Sequence, residues 1–381
     1  MTPRERVLAA LNHQEPDRVP LDLGSTNCTG ITKVAYERLK EHLGITKETI
    51  LLDRVLQLAV VDEEVLERFR IDTRGLFIGS PDNWQDIELP DGSFQDEWGV
   101  IRKKPPTSFY YDLISSPFQD GLSEEGLRSH NWPDPLDPGR VRGLAERAEH
   151  LYKETDYAVV LQIKGGFITQ SQYLRGFEGW FIDLLLEPEL LGKLLDRTLD
   201  FSIKLAGQAL DAIGDNVDVL MFGDDIGIQT GPMFSPEAYR KVIKPRQAKF
   251  VGFLKEKSRG KKVLMHTCGS VFDLMEDLIE VGIDVYNPVQ VTAAKMDPAS
   301  LKKAFGGRMA FWGGIDSHRV LPAGTPEDVR NEVAKMIKVL APGGGFVLNS
   351  VHNIQPDVPP ENICALFDAG WELGRYPRKD A

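Results

Sequence analysis

From about residue 157 onward, short apolar runs alternate with longer stretches whose apolar residues recur at three- and four-residue spacing. The short runs read as strands buried on both faces, the longer stretches as amphipathic helices. Strands are predicted at 157–163, 217–222, 262–265, 284–286, 309–312 and 345–348. Helices are predicted over 179–213, with an interruption at Pro188, and near 271–281, 298–305, 325–340 and 360–374. Ser235-Pro236 and Thr325-Pro326 each set a capping hydroxyl before a proline at the first helical position. Residues 18–23 are expected as the first strand, and a further one near 75–78 brings the count to eight.

Near-continuous apolar strands alternating with helices predict an α/β protein whose parallel sheet is covered by helices. A doubly wound sheet and a barrel both meet that description. About eight repeats, in a chain somewhat longer than the usual barrel, favour a (β/α)8 TIM barrel. Residues 80–135 break the alternation with Pro, Asp, Gly and the aromatics Trp84, Phe94, Trp98, Phe109, Tyr110, Tyr111 and Trp132. They are expected to form an irregular excursion of short strands or hairpins near the barrel mouth, not a second domain. With no repeat, low-complexity tract or long linker, residues 1–381 are expected to make one domain.

Composition narrows the function classes. A chain with 42% hydrophobic and 27% charged residues can bury a sizeable core. Its net charge of -12 disfavours nucleic acid and anionic membranes as partners, which need clustered Lys and Arg. No apolar run approaches the roughly 18 residues needed to span a bilayer. The opening residues are charged and helical in pattern, without a signal-peptide core. Cys28, Cys268 and Cys364 are too few for a disulfide framework. The expectation is a reduced, cytoplasmic enzyme, with a homodimer as the expected assembly.

In barrels of this kind, chemistry collects in the loops that follow the strands. The polar exceptions of this sequence fall at those places: Gly24-Ser25-Thr26-Asn27-Cys28, Lys164-Gly165-Gly166, Gly223-Asp224-Asp225, His266-Thr267-Cys268-Gly269, Asn287-Pro288-Val289-Gln290, Gly313-Gly314-Ile315-Asp316 and Asn349-Ser350-Val351-His352-Asn353. Residues two apart on an extended strand end point the same way, so His266 and Cys268 can face one centre. An imidazole and a thiolate suit Zn²⁺, while a packed Cys beside a hydrogen-bonding His is the plainer alternative. Gly269 allows a sharp turn into the next helix. His352 ends another strand and supplies a third ligand, or else binds a substrate carboxylate or caps a loop. Asp224 and Asp225 are candidates for metal ligation, general acid chemistry or loop capping, with Asp225 favoured for catalysis. Arg175 is a candidate anion binder or one half of a salt bridge. Asp316 is positioned to orient a ligand hydroxyl or imidazole, and Asn287 and Gln290 are further candidate substrate contacts. No Walker-type loop, strand-to-helix G-x-G-x-x-G or G-x-S-x-G elbow is present.

The runs His266-Thr267-Cys268-Gly269-Ser270, Gly282-Ile283-Asp284-Val285-Tyr286-Asn287-Pro288-Val289-Gln290, Phe311-Trp312-Gly313-Gly314-Ile315-Asp316 and the segment from Gly344 through His352 to Ile363 resemble the uroporphyrinogen decarboxylase superfamily. Within it they are similar to the methyltransferase-like branch, which includes corrinoid-dependent methyltransferases. Asp96-Glu97-Trp98-Gly99-Val100, Leu174-Arg175-Gly176-Phe177-Glu178 and Gly223-Asp224-Asp225-Ile226-Gly227 fit the same branch. The resemblance covers nearly the whole chain and implies a (β/α)8 barrel. Two departures qualify what it implies. The decarboxylases carry an arginine-rich run after the first strand that grips substrate carboxylates, whereas Asp22-Leu23-Gly24-Ser25-Thr26-Asn27-Cys28-Thr29-Gly30 holds no arginine. The corrinoid-linked methyltransferases bind zinc through H-x-C and a late Cys, and His352 stands at that late position here.

The resemblance therefore implies zinc on His266, Cys268 and His352, and a methyl group moved from a small, O-methylated substrate to a corrinoid carried by a partner protein. His for Cys makes the site less anionic and a stronger Lewis acid, which suits an ether or alcohol oxygen. In that scheme Asp225 and His352 carry the catalysis, and Arg175, Asn287, Gln290 and Asp316 contact substrate. The alternatives are a metal-free decarboxylase and a non-catalytic subunit that binds a ligand or docks a corrinoid protein.

Overall fold

The computed structural model describes residues 1–163 and 166–376. Lys164 and Gly165, expected in one strand-end loop, lie outside the described residues. Seven parallel strands form the central sheet: Thr73–Phe77, Ala158–Gln162, Val219–Gly223, Lys262–His266, Val285–Asn287, Ala310–Trp312 and Phe346–Val347. Each pairs with the next in chain order across the whole sheet. A doubly wound sheet reverses its order at a switch point, so sequential order excludes that alternative. The arrangement is consistent with a TIM-like barrel.

Period-two alternation splits the strand residues between two cores. Ala158, Val160, Val219, Met221, Leu264, Val285, Ala310, Trp312 and Val347 pack together on one face, with Val7, Leu11 and Cys28. Their alternates Val159, Leu161, Leu220, Phe222, Val263, Met265, Tyr286 and Phe311 join the larger core under the helices. The small inner core is what a curled sheet encloses. Val7 and Leu11 belong to the helix Pro3–Leu11, which brings that helix against the inner core.

The expected strand at 18–23 is reduced to two isolated bridges, the first of them Arg18 with Arg375, antiparallel. Leu21 pairs with Leu348 alone, in parallel. Asp22 N–H donates to the Leu348 carbonyl at 3.0 Å, and Leu348 N–H to that of Pro20 at 2.9 Å. On the other side Asp72 N–H donates to the Leu21 carbonyl at 2.9 Å, but Leu21 N–H goes to the Asp72 carboxylate at 2.8 Å. A side chain thus replaces one ladder acceptor, and Pro20 has no N–H to donate. Residues 20–22 nevertheless touch both edges of the sheet.

Phe177–Leu186 and Pro188–Ile213 cover the predicted 179–213 stretch, the second opening at the expected interruption, whereas Phe167–Arg175 precedes it as a helix that was not expected. Ser235 caps its helix by accepting from Ala238 N–H, and Thr325 forms a capping box with Asp328. Among the described residues no helix is long and apolar enough to cross a membrane. The excursion holds a four-stranded antiparallel sheet, Ile87–Glu88, Phe94–Gln95, Ile101–Lys103 and Asp112–Ser115. It reaches the strand-end loops: the Tyr110 hydroxyl donates to Asn353 Oδ1 at 2.6 Å.

Candidate metal centre

His266 is the last residue of its strand and keeps the phase of Leu264, so its ring enters the mouth from the inner face. Asn287 is its register partner on the next strand. Their side chains meet at 2.6 Å, His266 Nδ1 to Asn287 Oδ1. Past His266 the chain turns sharply at Gly269, where φ is +83°. A side-chain carbon there would lie 2.5 Å from the Gly227 carbonyl carbon, so only glycine fits. The turn carries Cys268 back until its Sγ lies 3.4 Å from His266 Nε2. His352 arrives from the far end of the sheet, its ring centroid 5.5 Å from that of His266. The donor atoms of His266, Cys268 and His352 all lie within 4.8 Å of one another.

The turn is braced from three sides. Asp225 Oδ1 accepts from Cys268 N–H at 2.8 Å, and Gln290 Oε1 from Gly269 N–H at 2.7 Å. Thr267 Oγ1 accepts from Ile226 N–H at 2.9 Å. Burial, reinforced by the neighbouring His266, pushes His352 down to about 4, so its imidazole is neutral near pH 7. Burial and then Asp225 push the Cys268 thiol well above its usual range. A neutral imidazole is ready to ligate, whereas the thiol must release its proton to solvent as a dication binds. Two imidazoles and one thiol within this span suit a borderline cation such as Zn²⁺.

The other expected site residues distribute differently. Asp224 Oδ1 accepts from Ile168 and Thr169 N–H at 3.0 and 2.9 Å, capping the helix Phe167–Arg175 from a neighbouring loop. Burial raises its carboxyl to about 8. Arg175 binds Asp183 at 2.6 Å and the carbonyls of Phe118 and Gln119 at 3.0 Å, so its bonds serve the fold. Asn287 is fully buried, and its amide is spent on His266 and on the Trp312 carbonyl at 2.8 Å, not on substrate. Gln290 is likewise spent, between Gly269 and Gln229. Asp316 turns its Oδ1 to the N–H groups of His318 and Arg319. Among the described candidates, Asp225 alone touches the three-donor cluster while remaining partly exposed.

Sequence reasoning missed Tyr110, Asn353 and Gln355 as a group. Gln355 Nε2 bonds both the Tyr110 hydroxyl and Asn353 Oδ1, immediately after His352 in the chain. Burial pushes the Tyr110 phenol up to about 12, with the Cys268 and Cys28 thiols adding to the shift. Asn353 and Gln355 stand in the His352 segment and were within reach of a pattern reading. Tyr110, 243 residues from its partner, carries no such signal.

The uroporphyrinogen decarboxylase (URO-D) family model matches residues 118–373. The chain belongs to that family. A uroporphyrinogen decarboxylase of Psychromonas ingrahamii is 30% identical over 190 residues, 49% of this chain and 49% of its relative. The chain thus spans about half the length of such curated relatives, although the match to the Alkalilimnicola ehrlichii decarboxylase, 29% identical, covers 65% and 67%. A methylcobamide:CoM methyltransferase, MtbA of Methanosarcina acetivorans, is 27% identical over 219 residues, 56% of this chain and 60% of that one. Among solved structures, a methyltransferase from Methanosarcina mazei superposes with a TM-score of 0.65 at 20% identity, covering 98% and 99% of the two chains. At that identity the likeness speaks for the fold. The family thus holds both decarboxylases and methyltransferases among this chain's relatives.

Proposed function

We propose that this URO-D family protein is a metal-dependent methyltransferase, moving a methyl group from a small, O-methylated substrate to a corrinoid carried by a partner protein. The observation that carries the reading is the convergence of His266, Cys268 and His352 within 4.8 Å at the strand ends. Residues 20–22, bonded to both sheet edges, would complete a (β/α)8 barrel around them. His266, Cys268 and His352 would hold Zn²⁺, which when bound supplies Lewis acidity toward an ether or hydroxyl oxygen. Asp225, whose Oδ1 keeps Cys268 N–H in place, would serve as the acid–base group beside the leaving oxygen. Tyr110 and its excursion would roof the site and exclude water. A porphyrinogen bearing many carboxylates is disfavoured, because 22–30 offers no arginine to receive it.

The test is metal analysis of protein purified without added zinc, alongside methyl transfer to a corrinoid protein. Stoichiometric zinc in the wild type and its loss in His266→Ala, with loss of transfer, is the expected result. Active protein without stoichiometric metal sinks the zinc mechanism. Turnover of uroporphyrinogen returns the protein to the decarboxylases.

A further inference from the structure

We propose that Asn287 is a positioning residue that fixes the tautomer of His266, presenting Nε2 as the ligand atom. Resting on the metal reading above, this assigns a role to a residue expected to touch substrate. The deduction runs through hydrogen-bond polarity. The Trp312 carbonyl can only accept, so the Asn287 group 2.8 Å from it is the amide nitrogen. Asn287 Oδ1 therefore faces His266 Nδ1, 2.6 Å away. An amide oxygen cannot donate, so the proton of that bond sits on Nδ1. A neutral imidazole carries one N–H, which leaves the lone pair on Nε2, 3.4 Å from Cys268 Sγ.

Asn287 is itself held. It is fully buried, and the carbonyl it binds belongs to Trp312, whose indole N–H donates to Asp22 Oδ2 at 2.8 Å. Asp22 Oδ1 in turn accepts from the Thr73 hydroxyl at 2.5 Å. A relay from Thr73 and Asp22 through Trp312 and Asn287 thus reaches from one edge strand of the sheet to the imidazole. Ligating histidines commonly depend on such an outer partner for ring orientation and basicity, and losing it costs about 10–100-fold in metal affinity.

The experiment pairs two variants with two readouts. Protein labelled with ¹⁵N in its imidazoles is examined metal-free at pH 8, with His266→Ala to assign the signal among the seven histidines. Wild-type His266 is expected in the Nδ1–H form, against the preference of free histidine for Nε2–H. Asn287→Asp keeps an acceptor and should retain that form. Asn287→Leu should release it and weaken zinc binding about 10–100-fold in a chelator competition, while Asn287→Asp stays within a few-fold of wild type. A purely structural role predicts the opposite order, because burying a carboxylate harms packing more than burying Leu. The Nε2–H form in wild type, or Asn287→Leu with the wild-type tautomer and affinity, overturns the proposal. Wild-type protein that takes no zinc overturns the metal reading alone, because the metal-free spectrum judges Asn287 by itself.

Discussion

Two polar clusters, one buried and one half-buried, occupy opposite ends of the sheet, and they are built on opposite principles. At the N-terminal ends, Asp72 receives Arg6 and Leu21 N–H at 2.6 and 2.8 Å and both terminal nitrogens of Arg18 at 2.7 and 2.8 Å. Donors meet acceptors, and charge meets countercharge. At the C-terminal ends, His266, Cys268 and His352 bring donor atoms within 4.8 Å of one another, an arrangement of lone pairs that favours a shared proton or cation. Their remaining atoms are tied down by Asn287 and Asp225. The first cluster closes the fold; the second leaves unpaired lone pairs facing one another, the arrangement on which the metal proposal rests.

That contrast is broken most forcefully at Asp72. Asp72→Ala leaves the buried Arg18 guanidinium without its carboxylate, while Arg6 keeps Asp17, and should cost about 3–5 kcal/mol of stability, read by denaturant unfolding. Zinc per folded molecule should stay at the wild-type level. Unchanged stability, or loss of zinc from the folded fraction, would erase the division between the two ends.

At the mouth, Asp225→Asn separates two duties of one side chain. Asn keeps an acceptor for Cys268 N–H but has no proton to give. Zinc content and unfolding midpoint should hold, while methyl transfer falls about 100-fold or more. Full activity in Asp225→Asn would remove it from proton transfer and leave it as a brace.

Acid should also tell the ends apart. In chelator-treated protein His352 titrates near 4, whereas in the unfolded chain it titrates near 6.5. Between those values the unfolded state binds more protons, so stability is full above pH 6.5, declines as pH falls toward 4, and then levels off. The loss is on the order of 3 kcal/mol, and His352→Gln should flatten that part of the profile. A profile unchanged by the substitution would show the imidazole to be better solvated than its surroundings imply.

The strands were legible because burial on both faces leaves a short, near-continuous apolar run. Residues 18–23 share that composition, but whether an apolar run pairs through its backbone or through a side chain such as Asp72 depends on a neighbour 51 residues away. The proximity of His266 and Cys268 was legible for a similar local reason: they stand two residues apart where one strand ends. The bonding of the expected substrate contacts was not. Asn287, Gln290 and Asp316 are polar residues at strand ends, which is where both chemistry and its bracing occur. Only register tells them apart: Asn287 sits opposite His266, and Gln290 beside Gly269.

The smallest expected effect lies where the excursion meets the mouth. Tyr110→Phe keeps the ring and removes one hydroxyl, and with it the bonds to Asn353 and Gln355. Asn353 and Gln355 still bond each other, so neither is stranded, and the stability cost should be about 1 kcal/mol. If the excursion roofs the site, the same change should raise KM several-fold while kcat moves little, because the roof holds substrate without touching the reacting atoms. Equal KM with reduced kcat would instead bring the phenol into the chemistry, and no change in either would make the 110–353 contact a feature of the fold alone.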